Sequence, residues 1–408
     1  MKLFLKIIGG IVLLFLLAAG GFAAYVAIDG IPSYPTNPPD LKVEVTPERV
    51  ARGKLIANML CSQCHLDNNT GRLTGHRLPD LPPEFGVAYS KNITQDKDAG
   101  IGAWTDGEIA FLLRTGIRRD GRYTPPWMVK LHGIADEDIL SIIAFLRSDD
   151  SLVRADPTPD KEAEPTFLAK FLCHVAFKPF KYPEHAIVPP DTNDKVKFGR
   201  YLAIEAFDCF GCHSGDFKKM DLEHPEKSYM FLAGGNRMPD LAGNMRVTAN
   251  LTPDPETGIG KWSEDDFVKA VREGIRPDGR LVRYPMARLN ELTESEVKAI
   301  YAYLKTVPPI RHELDRDFPD LSGAALADGK AVYGKYGCAA CHGETGVGVG
   351  DLTKAKVDFP ADSSLQAWIR NPSSFRPLTK MPSFQGIIQE SEYAPLIAYV
   401  RELGRKNP

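Results

Sequence analysis

The 408-residue chain carries 50 basic and 53 acidic side chains, and a formal net charge of −3 offers no basic field for nucleic acid. With 43% hydrophobic and 25% charged residues it is neither apolar-poor nor highly charged, which excludes a disordered chain and allows two to three domains. Seven cysteines are too few for a disulfide scaffold, and an odd count leaves at least one unpaired.

After Lys2 and Lys6 an uncharged run occupies 7–28 and ends before Asp29. As a helix it would be about 33 Å long, enough for a hydrocarbon core of ~30 Å. A cleaved signal peptide has an apolar core of roughly 7–15 residues, and Phe22-Ala-Ala24 offers only a loose cleavage site. The longer run favours a retained signal-anchor over 1–30. Lys2 and Lys6 then stay cytoplasmic, which exports the rest to the periplasmic side of the inner membrane. The Pro-rich segment 31–46 reads as an extended stalk lifting the first domain off the membrane.

Six cysteines fall in three identical constellations: Cys61-Ser-Gln-Cys64-His65, Cys209-Phe-Gly-Cys212-His213 and Cys338-Ala-Ala-Cys341-His342. C-x-x-C-H is the attachment signature of c-type haem. Two thiols add across the vinyl groups of one porphyrin edge, and the adjacent His turns its imidazole onto the iron. A Cys₄ zinc site wants two C-x-x-C pairs roughly 15–20 residues apart. Here the pairs begin 148 and 129 residues apart. A thioredoxin-like motif would not carry a following His three times. The expectation is three covalently attached haems c, with His65, His213 and His342 as proximal ligands.

The first two motif-bearing segments are copies. Asn92-Ile-Thr-Gln-Asp-Lys-Asp-Ala-Gly-Ile-Gly-Ala-Trp104 matches Asn250-Leu-Thr-Pro-Asp-Pro-Glu-Thr-Gly-Ile-Gly-Lys-Trp262 at an offset of 158 residues. The offset persists through Arg114/Arg272, Gly116/Gly274, Met128/Met286 and Phe145/Tyr303. A repeat of this length is domain duplication. It also selects the second axial ligand. Among Met220, Met230, Met238, Met245 and Met286, only Met286 has a counterpart, since Met238 aligns with Leu78. Met128 and Met286 are therefore expected as ligands, although core packing is the default for an isolated Met. The third segment lacks the Asn-Ile/Leu-Thr and Gly-Ile-Gly-x-Trp blocks, and Met381 is the only methionine after Met286.

Helices are expected before each C-x-x-C-H (50–59 in the first copy) and closing each unit at 136–148, 293–305 and 391–403. The closing segments have acidic first turns, Thr or Ser caps and, at Ile139, Ile142, Ile143 and Leu146, helical apolar spacing. Gly53, Gly199 and Gly329 lie eight to ten residues before the first Cys and would let two terminal helices cross closely. No alternating strand pattern occurs, so the class is all-α. Linkers are expected at 151–190 and 308–321, bounding domains at 47–150, 191–307 and 322–408. Cys173 and His174 read as structural, and Gly346-Val-Gly-Val-Gly350 as a haem-covering loop rather than a phosphate loop. Trp104 and Trp262 are either indole donors to a haem propionate or core residues. Arg114 and Arg272 read as surface residues in preference to propionate partners.

On these motifs the exported region resembles the three-haem cytochrome c subunits of membrane-bound periplasmic dehydrogenases, such as quinoprotein alcohol dehydrogenase and gluconate-type dehydrogenases. In that family two similar domains carry the Asn-Ile-Thr…Gly-Ile-Gly-x-Trp block and the third is a smaller single-haem domain. Trp368-Ile-Arg-Asn-Pro372 and Met381-Pro-Ser-Phe384 are similar to general class I cytochrome c. The resemblance implies three tandem class I cytochrome c domains behind an N-terminal transmembrane helix. It implies a non-catalytic subunit passing single electrons from a dehydrogenase partner to quinone or a terminal oxidase. Family members usually carry a C-terminal amphipathic segment, where this chain has its N-terminal hydrophobic run. Two rival readings are a haem enzyme of peroxidase type, which needs an open sixth position, and a fixed electron-delivery subunit of a respiratory supercomplex.

Overall fold

The computed structural model describes residues 2–67, 69–78, 81–239, 245–279, 281–282, 286, 288–314, 329–352, 355–359, 362–376 and 379–406. The second half of the expected 308–321 linker lies outside them. The chain forms two compact units, Met1–Pro189 and Pro190–Pro408. Among the described residues the protein is helical, with sheet confined to two two-stranded ribbons.

The first unit opens with α1 (Lys2–Asp29), one helix long and apolar enough to cross a membrane by length and composition. Next come α2 (Pro47–Leu60), capped by the Thr46 hydroxyl on the Arg49 amide, and the single turn α3 (Ser62–His65). α4 (Asp106–Thr115) begins in a reciprocal Thr105/Glu108 capping box, and α5 (Asp136–Leu146) starts with three acidic residues. Both arrangements satisfy the orphan amides of a helix start and complement its dipole. As expected from their spacing, Ile139, Ile142, Ile143 and Leu146 on α5 are all buried.

α2 crosses α5, and the crossing depends on Gly53. A methyl group built there would overlap the carbonyl oxygen of Ser141. In the second unit α7 (Lys195–Arg200) crosses α10 (Glu294–Leu304), with Gly199 against Ala299. α11 (Gly329–Lys335) crosses α15 (Glu390–Lys406) with Gly329 against Pro395. The same glycine-dependent contact thus recurs three times, as the sequence spacing anticipates. The second copy has two more residues between its glycine and its first Cys. A π-helical turn over Tyr201–Ala206 lies between them, which is how an insertion is absorbed inside a helix.

The remaining second-unit elements are α8 (Cys209–His213), α9 (Glu264–Val268), α12 (Ala339–His342), α13 (Ala355–Asp358) and α14 (Asp362–Arg370). A hydrophobic core around Val332, Tyr333, Leu365, Phe384, Leu396 and Ile397 lies under α11, α14 and α15.

Two expectations need correction. Segment 31–46 is extended but not a free stalk. Tyr34 donates its amide to Gly121 O (2.8 Å), Tyr123 to Pro32 O (3.0 Å), and Val43 to the Asp106 carboxylate (2.9 Å). Unpaired amides on a Pro-broken strand find acceptors on the nearest domain surface, so the chain is laid along it. The 151–190 segment is also more than a connector. It contains α6 (Phe167–Val175), capped by Thr166, and a ribbon pairing β1 (Gly86–Val87) with β2 (Glu164–Pro165). A second ribbon pairs β3 (Arg237–Pro239) with β4 (Met245–Val247).

Candidate haem-binding sites

Each C-x-x-C-H sequence occupies one helical turn. His65 and His342 donate their amides to the carbonyls of Cys61 (2.8 Å) and Cys338 (2.9 Å), and Ser214, just after His213, donates to Phe210 O (3.0 Å). That turn places both sulfurs and the imidazole of a motif on neighbouring positions, as attachment to one porphyrin edge requires. None of the six cysteines is in a disulfide. Burial pushes the Cys61, Cys209 and Cys338 thiols up to about 12. Such surroundings suit a neutral thioether better than a thiolate.

The histidines share a second feature. Nδ1 of His65 meets Lys91 O at 2.7 Å, Nδ1 of His213 meets Ala249 O at 2.8 Å, and Nδ1 of His342 meets Gly350 O at 2.6 Å. A carbonyl only accepts, so Nδ1 carries the hydrogen and Nε2 keeps its lone pair for a metal. Burial lowers the basicity of His65 and His342, which holds those imidazoles neutral. Paired thiols outside any disulfide and an imidazole oriented through Nδ1 fit c-type haem at each motif.

The repeated block explains the first two carbonyls. Lys91 and Ala249 immediately precede Asn92 and Asn250. The Asn92 side chain accepts from the Thr94 amide (2.9 Å) and hydroxyl (2.7 Å), and it donates to the carbonyls of Asp156 and Thr158 (both 2.9 Å). Asn250 accepts identically from Thr252 and donates to Ile310 O (2.8 Å). Both asparagines are buried, so their satisfied amides pin the segment whose carbonyl holds the histidine. The Gly-Ile-Gly turn folds back over that segment, where a side chain at Gly100 or Gly258 would overlap Thr94 O or Thr252 O. The closing helices hold the turn. Arg147 donates to Ile101 O (3.1 Å) and to the Asp106 carboxylate (2.9 Å), while Lys305 donates to Gly260 O (2.9 Å). The third copy replaces the block with its glycine loop, and Gly350 supplies the carbonyl.

Of the expected thioether ligands, Met128 and Met381 are half-buried and Met286 is exposed. Lys130 threads past Gly116 and donates to the carbonyls of Pro125 (2.6 Å) and Met128 (2.7 Å), tying the Met128 loop. Its counterpart at the repeat offset, Arg288, passes Gly274 but donates to Lys380 O, beside Met381. Neither basic residue was singled out from sequence, though the 158-residue offset joins them.

Arg114 is not a surface residue. Its side chain is 1% exposed, and Nη1 donates to Leu131 O (2.9 Å), His132 O (3.2 Å) and Ile134 O while Nη2 pairs with Asp136 (2.6 Å). The loop from Met128 to α5 turns its carbonyls inward, and a guanidinium has the donors to satisfy several at once. Arg272 is half-buried. The Trp104 ring lies under the Arg119 guanidinium at 5.8 Å, and the Trp262 carbonyl accepts from Tyr301 (2.6 Å). Cys173 is fully buried on α6, and its thiol is pushed up to about 11 by burial, which keeps it inert. Asp208, just before Cys209, adopts a left-handed backbone (φ 49°), and burial raises its carboxyl to about 7. No sequence signal marks it.

Residues 324–400 match the family model described as cytochrome C oxidase, cbb3-type, subunit III. The fructose dehydrogenase cytochrome subunit of Gluconobacter japonicus is 28% identical over 337 residues, covering 74% of this chain and 65% of that one. The cytochrome c subunit of the quinone alcohol dehydrogenase of Gluconacetobacter polyoxogenes is 27% identical over 372 residues, covering 85% and 74%. The gluconate 2-dehydrogenase cytochrome c subunit of Pantoea cypripedii is 27% identical over 268 residues, covering 63% and 59%. The chain spans just under two thirds of the first of these relatives. These three relatives are named as cytochrome subunits of dehydrogenases, and the match over 324–400, which contains Cys338-Ala-Ala-Cys341-His342, implies covalently bound haem c there.

Proposed function

We propose that this protein is a membrane-anchored tri-haem cytochrome c that relays single electrons from a periplasmic dehydrogenase partner toward quinone or a terminal oxidase. The observation that carries the reading is the threefold recurrence of a C-x-x-C-H turn whose histidine is fixed through Nδ1 by a backbone carbonyl. Three domains follow from it, at 47–150, 191–307 and 322–408, behind a signal-anchor at 1–30 on the periplasmic side of the inner membrane. Cys61/Cys64, Cys209/Cys212 and Cys338/Cys341 would form the thioethers. His65, His213 and His342 would hold each iron from one side and Met128, Met286 and Met381 from the other. Haem c supplies a reversible one-electron couple, which His/Met ligation raises in potential. The chain's own part would be to fix the imidazole and to seat the methionine as a second ligand. With a histidine and a methionine both held ready as ligands, no position would be left for substrate, which favours a partner subunit over a peroxidase-type enzyme as the site of catalysis. The family match at 324–400 favours, as a second reading, an oxidase as the acceptor.

Mass spectrometry of the exported protein should show three added haem groups; two or fewer would overturn the tri-haem assignment. Met128→Ala, Met286→Ala and Met381→Ala should each convert one low-spin site to a different spin state and lower its potential, with far-UV circular dichroism unchanged. Parental electron paramagnetic resonance spectra from all three would reject the methionines as ligands.

A further inference from the structure

α6 is joined to the last turns of α1. The rings of Phe22 and Phe171 lie 6.1 Å apart edge to face, and those of Tyr25 and His174 lie 5.3 Å apart. His174 Nε2 meets Gly30 O at 3.1 Å, and Val26 is fully buried beside them. The contacts pair early with early and late with late residues, so the two helices run in the same direction. α6 therefore points its N-terminal end back toward the level of the apolar run. Phe22 lies six residues before the end of that run, about 9 Å along the helix. Phe171 shares its level, and Phe167, stacked on Phe171 at 6.2 Å, lies a further turn toward the membrane.

At that end Phe167 and Leu168 are 49% and 43% exposed; at the other end Val175 is 47% exposed and Lys178 follows it. Because α6 runs alongside α1 it would meet the bilayer end-on, with exposed apolar side chains at its deep end suited to the acyl chains and Lys178, beyond its other end, left in water. We propose that α6 dips its N-terminal end into the membrane surface, with Phe167 and Leu168 inserted among the acyl chains beside α1. The same end carries the Met128 loop. Thr166, the α6 cap, donates its amide to Phe85 O (3.2 Å), and the Phe85 ring lies 6.4 Å from that of Trp127, next to Met128. The rim of the first unit that presents the expected Met128 ligand is thereby held at the lipid surface, on the side from which a membrane-dissolved quinone would approach. The inference rests on α1 remaining in the bilayer.

The test uses the full-length, haem-loaded protein in vesicles of phosphatidylethanolamine and phosphatidylglycerol. Nitroxide labels are placed one at a time through Leu168→Cys, Leu14→Cys on α1 and Val188→Cys, which is 76% exposed in the first unit. The buried Cys173 and the six haem-bound sulfurs do not compete for the label. Power saturation then compares collisions with dissolved oxygen and with a water-soluble nickel chelate. Labels at 14 and 168 should both favour oxygen, and the label at 188 should favour nickel. A lipid-exposed label at 14 with a water-exposed label at 168 overturns the α6 assignment and leaves the anchor standing. Water exposure at both overturns the anchor itself and α6 with it. Should Leu168→Cys fail to accumulate, Phe167→Cys reads the same depth.

Discussion

Gly53→Val is expected to destabilise the first unit by roughly 3–5 kcal/mol, at the severe end for a single substitution. The added side chain would occupy the position of the Ser141 carbonyl, a main-chain group that no rotamer change can move aside. Relief requires α2 and α5 to separate, and their contact buries Ile56 on one side and Ile139, Ile142 and Phe145 on the other. Each such side chain contributes ~1.5–3 kcal/mol by burial, so a gap shared among several erodes most of a domain's margin. Gly199→Val should act equally, against Ala299. The control is Gly334→Ala in α11, where no atom lies within 4 Å of an added methyl group. It should be neutral or stabilising by up to ~1 kcal/mol, because alanine favours the helix. Urea melts followed by haem-region circular dichroism check all three, and a parental midpoint for Gly53→Val would show that the helix crossing is not what the glycine serves.

These glycines were legible because their cost is steric and local to a fixed spacing before the C-x-x-C-H turn. Helix ends were legible for the same reason: Thr293 and the Asp136 run act within one turn of where they stand. The sites were legible as far as side chains carry them. The histidine orientation was not, since Lys91, Ala249 and Gly350 act through carbonyls that every residue has. Only the neighbouring asparagines left a signature, and it read as a repeat without a mechanism. α6 was missed because prolines on both sides mask nine residues whose apolar face is completed by α1, distant in sequence. The free stalk was the wrong expectation for a related reason, as composition describes a chain's stiffness and not the domain edge it pairs with.

Duplication also separates what the fold needs from what each copy has since acquired. Lys130 and Arg288 occupy one register, each threaded past a left-handed glycine two residues after the expected ligand. In the first copy the cation closes the loop on itself, whereas in the second it reaches the carbonyl beside Met381. The longer, planar guanidinium suits the second task, since it reaches a carbonyl beyond its own loop. The second and third motif-bearing segments are thus joined near the methionines expected as ligands, and Leu281 also packs on the third segment's core.

Arg114→Leu should cost ~3–5 kcal/mol and loosen the first ligand loop, because removing a buried charge leaves its partners without compensation. Four acceptors depend on this one side chain: three carbonyls between Leu131 and Ile134, and the Asp136 carboxylate. All follow Met128 closely, so the loop that seats the expected ligand loses its anchorage to α4. Arg114→Lys should recover little, since an ammonium at the end of a flexible stem cannot serve a fan of carbonyls and a carboxylate together. Asp136→Asn should cost only about 1 kcal/mol, because that carboxylate is 47% exposed and water replaces the lost ion pair. The discriminating measurement is the charge-transfer absorption of methionine-ligated ferric haem, followed with temperature in the full-length protein. In Arg114→Leu one site's share of that band should fade well below the unfolding transition, while the other two persist. Uniform persistence of the band up to global unfolding would mean that Arg114 stabilises the unit without positioning the ligand loop.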